Sequence, residues 1–156
     1  MKRIGITLLF IAICPNVFGQ FGGENYDTKK SILEVFELFF ENEIKHQGVK
    51  GDWIFRLEEV TGLYKFDFNK DNLNDILMEF SAVPEEGGGV TLKFAVLFLN
   101  EGNNQFKYLN YLETQEIRFE KFENQQFTFS TNKSETEKVI FKFLDSKFVS
   151  TLKLPN

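Results

Sequence analysis

From residue 52 to the C-terminus the chain repeats one pattern: short runs in which apolar and polar residues alternate, rich in Phe, Val, Ile, Leu and Tyr, separated by polar turns. A period of two sends successive side chains to opposite faces of an extended chain, so each run reads as a strand with one face toward a core. The runs are Asp52–Glu59, Gly62–Phe66, Asp75–Ala82, Gly89–Leu99, Phe106–Leu112, Glu116–Phe122, Phe127–Thr131, Lys138–Leu144 and Phe148–Leu154. Glu101-Gly102-Asn103-Asn104, Glu123-Asn124-Gln125-Gln126 and Asp145-Ser146 are far shorter than the crossover that parallel strands need. Successive strands must therefore run antiparallel, as a meander. Val90, Leu92, Phe94, Val96 and Phe98 hold one apolar face, and the opposite face turns apolar toward Leu97 and Leu99, which predicts a central strand.

Helical periodicity occurs once. Thr28–Gln47 carries Ile32, Val35, Phe36, Phe39, Phe40 and Ile44 as one stripe, with Ser31 and Glu34 as a capping box and Gly48 as a stop. The predicted fold is α+β: one N-terminal amphipathic helix packed on a strongly curved antiparallel meander sheet, with a small up-and-down β-barrel plus helix as the alternative. Phenylalanine usage suits either, since 18 of the 20 lie after residue 20 and many recur at alternate strand positions. Large rings packed between sheet and helix are the first reading, and Trp53 at a strand start is assigned to that core. A ligand cavity lined by aromatics is the second.

One loop carries recognisable chemistry. Between two apolar runs stands Asp67-Phe68-Asn69-Lys70-Asp71-Asn72-Leu73-Asn74-Asp75, with oxygen side chains at Asp67, Asn69, Asp71 and Asp75. These occupy positions 1, 3, 5 and 9 of a calcium loop, and the Leu73 carbonyl takes position 7. The stretch resembles the EF-hand-like DxNxDGxxD loops of secreted proteins, as in FG-GAP repeats and dockerins, over residues 67–75 only. The resemblance implies Ca2+ as cofactor. Two departures weaken it. Position 6, where glycine supplies φ > 0, is Asn72, which tolerates that conformation better than most side-chain-bearing residues. Position 12, normally a bidentate Glu, is Met78, so binding should fall to the weak end, roughly 10⁻⁴ to 10⁻³ M. In a meander this loop lies at the same end as Asn100–Asn104, while Pro84–Gly89 lies at the other. Glu101 is thus the additional ligand that can replace the missing carboxylate; Glu79 should point away from the loop.

Met1–Gly19 has the form of a secretory signal peptide: Lys2 and Arg3, an apolar run from Ile4 to Cys14, and Val17-Phe18-Gly19 before Gln20. Residues 20–156 are then one α+β domain, secreted or periplasmic. Ile13 before Cys14 and Pro15 after it argue against lipoprotein anchoring, and no apolar run reaches the roughly 20 residues a membrane span needs. Cleavage removes the only cysteine, leaving a core without disulfides.

Removing Lys2 and Arg3 from the 18 basic residues leaves 16 against 23 acidic, a net charge of −7, which argues against nucleic acid or an anionic surface as partner. The single His46 sits in the last helical turn, where positive charge is welcome, and leaves no second histidine for a nucleophilic triad or a zinc site. Gly87-Gly88-Gly89 joins two strands and so lacks the strand-to-helix setting of a phosphate loop. No carboxylate pair stands out. The sequence therefore points to a non-catalytic binding or interaction domain with a structural calcium loop, its partner a protein or small ligand. A carrier of a small apolar ligand is the second reading and a small secreted hydrolase the third.

Overall fold

The computed structural model describes residues 26–47, 53–86, 89–114, 116–131, 137–144 and 147–155. The signal segment, Cys14, the Gly48 stop, Gly87-Gly88 and Asp145-Ser146 lie outside them. The helix, α1, spans Tyr26–Phe39 and passes into a single π-helical turn, Phe40–Ile44. It starts earlier than the capping-box pattern predicts, so Ser31 lies inside the helix instead of capping it. Of its predicted apolar stripe, Ile32, Phe36, Phe39, Phe40 and Ile44 are buried, and Val35 is partly buried against them.

Among the described residues eight strands follow: β1 Phe55–Phe66, β2 Asp75–Pro84, β3 Leu92–Gly102, β4 Gln105–Thr114, β5 Arg118–Glu123, β6 Gln126–Ser130, β7 Glu137–Leu144 and β8 Lys147–Pro155. Every pairing is antiparallel between sequence neighbours, as the short turns require. The first two strand-like runs are one strand. Leu57, Val60 and Leu63 recur every third residue, which breaks a strict period of two, but two bulges, between Leu57 and Glu59 and between Val60 and Gly62, absorb the extra residues. Leu57, Val60 and Leu63 thereby stay on the helix-facing side.

The expectation of one sheet is corrected: the described residues form two open four-stranded sheets, β1-β2-β3-β4 and β5-β6-β7-β8, and neither closes as a barrel among them. The reason lies in β2 and β3. On β2, Ile76, Met78, Phe80 and Ala82 belong to the core under the helix, with Phe94, Val96 and Phe98 of β3. The alternate residues Leu77, Ala95 and Leu97 are just as buried, in a second core with Ile117, Phe127 and Phe129. A sheet apolar on both faces needs a cover on each, so the molecule has three layers: helix, first sheet, second sheet. β3 is interior to its sheet, as predicted. Trp53 departs from expectation. It precedes β1, is 47 % exposed and rests against Phe55 with ring centroids 6.3 Å apart.

Candidate calcium loop and the neighbouring seam

The loop between β1 and β2 turns by placing Lys70 at φ 66 and Asn72 at φ 68. Asn72 thus adopts the left-handed conformation that position 6 of such a loop demands. Lys70 does so as well, at a steric cost of about 1 kcal/mol or more for a side-chain-bearing residue. Side-chain oxygens hold the turn. Asp67 accepts the N–H of Asp71 at 3.0 Å and of Asn72 at 2.8 Å through its two oxygens. Asn69 Oδ1 accepts the Asp71 N–H at 3.2 Å, its Nδ2 donates to Asp71 Oδ2 at 2.7 Å, and Asp71 Oδ1 accepts the Leu73 N–H at 2.8 Å. Asp67, Asn69 and Asp71 are therefore one connected group. Each carboxylate oxygen used this way keeps a further lone pair, so the donor set is hard oxygen, suited to calcium in type.

Asp75 stands apart from that group in role. It opens β2, is fully buried, and accepts the N–H of Phe68 at 3.1 Å and of Asn100 at 2.9 Å. Burial pushes its carboxyl up to about 6; the two N–H donors pull the other way, and Asp71 and Asp67 add to the rise. Asn100 also donates its side-chain amide to the Asn74 carbonyl at 3.1 Å, and a Cβ built on Gly102 would meet Leu73 Cδ1 at 3.8 Å. The β3–β4 hairpin lies beside the loop, as the meander argument places it. The hairpin residue that reaches the loop is Asn100, while Glu101 is exposed. Nothing in the sequence favours Asn100 over Glu101 except that it is the first polar residue after the apolar run ending at Leu99. Among the described residues, no three His, Cys, Asp or Glu side chains stand arranged to hold a metal ion. The connected side chains of the loop are two carboxylates, Asp67 and Asp71, and the amide of Asn69. His46 is exposed.

A second polar feature escaped the sequence reading. Glu79 points into the layer between the sheets and is 4 % exposed. Its Oε2 accepts the Tyr64 hydroxyl at 3.1 Å and its Oε1 accepts the Phe119 N–H of β5. Burial raises its carboxyl above the ordinary range, opposed by those two donors and by the cations of Arg118 and Lys93. Tyr64 is pushed up to about 12 by burial and by the facing Glu79. Gly62 leaves room for this pair, since a Cβ there would lie 2.7 Å from the Tyr64 ring and hydroxyl and 2.9 Å from Glu79 Oε2. The signal was a lone charge within Ile76-Leu77-Met78-Glu79-Phe80. Outside the pair, the edges of β1 and β5 form an open groove lined by Leu63, Tyr64, Lys65, Phe66, Phe119 and Phe122.

No protein-family model, curated protein or solved structure matches the chain. Among the described residues no helix is long and apolar enough to cross a membrane.

Proposed function

We propose that this is an exported, non-catalytic binding or interaction domain whose Asp67–Asp75 loop takes calcium weakly and uses it structurally. The observation that carries the reading is the connected oxygen group of Asp67, Asn69 and Asp71 on a turn whose Asn72 is left-handed. In this reading Asp67, Asn69, Asp71 and the Leu73 carbonyl face the ion, with water completing the shell. Asp75, its oxygens turned to Phe68 and Asn100, contributes mainly by fixing the loop to β3. Bound calcium would supply charge neutralisation among the acidic side chains and nothing reactive. Export rests on the basic start and short apolar run of residues 1–19. The two bulges of β1 support a first sheet that curves about the helix.

Thermal melts in millimolar calcium against chelator test the loop. At ten times Kd, linkage stabilises the fold by about 1.4 kcal/mol, a modest rise in Tm. The rise should vanish in Asp67→Ala with Asp71→Ala. Superimposable curves for the native protein with and without calcium would reduce the loop to a turn.

A further inference from the structure

We infer that Glu79 is a proton-controlled latch between the two sheets: uncharged, it lets β5 close on the first sheet, and ionised, it loosens that closure along the aromatic groove. Glu79 lies apart from the calcium loop, in the seam between the sheets. Glu79 belongs to β2, yet one of its oxygens takes a backbone N–H from β5 of the other sheet and the second takes a hydroxyl from β1. It therefore ties three strands across the seam at one carboxyl group. The carboxyl is buried there, and the absence of a Cβ at Gly62 is what admits it beside Tyr64.

A carboxylate withdrawn from water is destabilised relative to its neutral form unless charge is matched nearby. The groups facing it are few. From β1 there is Tyr64, a neutral donor; from β3, Lys93; from β5, Arg118. Lys93 is already committed to Glu116 at 2.7 Å. These cations and the two hydrogen bonds offset the burial only in part, so the carboxyl remains raised. Opening the seam returns Glu79 to water and to its ordinary value. In acid, below the ordinary value, both closed and open forms are neutral and closure is tightest. As pH rises toward the closed-form midpoint, the open form ionises first and opening becomes easier, by about tenfold for each pH unit separating the two midpoints. Above the closed-form midpoint the effect levels off.

Amide hydrogen exchange at Phe119, followed across pH by NMR and corrected for base catalysis of exchange itself, reads the opening directly. Protection should fall as pH rises through the Glu79 titration and then level off. In Glu79→Gln, which keeps a carbonyl acceptor and cannot ionise, protection should be independent of pH. In Tyr64→Phe, which keeps the ring and removes one donor to the charged form, the fall should move to higher pH. Flat protection in the native protein overturns the inference, as does a fall that persists in Glu79→Gln. Should Glu79→Gln fail to fold, the side-chain carboxyl resonance of Glu79 in the native protein decides alone: a midpoint at or below the ordinary 4.5 overturns the latch, and a higher one coinciding with the loss of Phe119 protection supports it.

Discussion

The two faces of the first sheet are built from the same strands and almost the same residue types, yet they behave as different materials. Toward the helix the layer is dominated by aromatic rings. Phe36 meets Phe80 edge-on at 5.2 Å, Phe80 stacks on Phe94 at 4.9 Å, and Phe39 reaches Tyr108 at 4.7 Å. Toward the second sheet, rings such as Phe66 and Phe122, stacked at 4.8 Å, share the layer with Glu79 and Ser81, both buried. Ser81 Oγ donates to Glu58 at 3.0 Å, and Lys93 and Glu116 pair at the margin. The contrast teaches where cohesion and where adjustability reside. A layer of packed rings gains from each buried apolar atom, whereas a layer with a buried carboxyl holds only while each polar atom keeps its partner.

Substitutions on the two faces should therefore differ in their effects. The largest effect belongs to the helix side: Phe36→Ala removes a fully buried ring and should cost about 3–5 kcal/mol in urea denaturation. A loss below about 1 kcal/mol would mean that the layer under the helix yields as readily as the seam. Next comes Gly62→Ala, which places a methyl group where the Tyr64 hydroxyl and Glu79 Oε2 sit. The expected cost is about 1–3 kcal/mol, with loss of the Tyr64–Glu79 hydrogen bond. Normal stability with the Tyr64 hydroxyl still engaged, as read by its ring resonances, would show slack in the seam that the contrast denies. The smallest concerns Lys93 and Glu116. Both side chains are partly exposed, at 36 % and 27 %, so a double-mutant cycle should give a coupling below about 1 kcal/mol that weakens with salt. A larger, salt-insensitive coupling would place this pair inside the seam instead of at its rim.

Much of this architecture is legible in the residues themselves. The spacing of Ile32, Phe36 and Phe39 specifies a helix with one buried face, because 3.6 residues per turn brings them together, and the π-helical turn carries Phe40 and Ile44 onto the same core. Alternation and short links specify antiparallel meanders for the same geometric kind of reason, and they locate the loop at Asp67–Asp75 beside the Asn100–Asn104 hairpin. Local rules also reach the left-handed turn at Asn72. Other features depended on partners distant in the chain. That Leu57, Val60 and Leu63 form one strand required bulges registered against β2, which no local pattern encodes. The division into two sheets arose because Leu77 and Leu97 needed cover that only Phe127 and Phe129 of a later hairpin supply. Glu79 reads as a stray charge on an apolar strand until Phe119, 40 residues on, brings its N–H to the carboxyl oxygen. Periodicity is a property of neighbours along the chain and so can be read from it; burial and hydrogen-bond partnership are properties of neighbours in space, and only the folded chain brings those together.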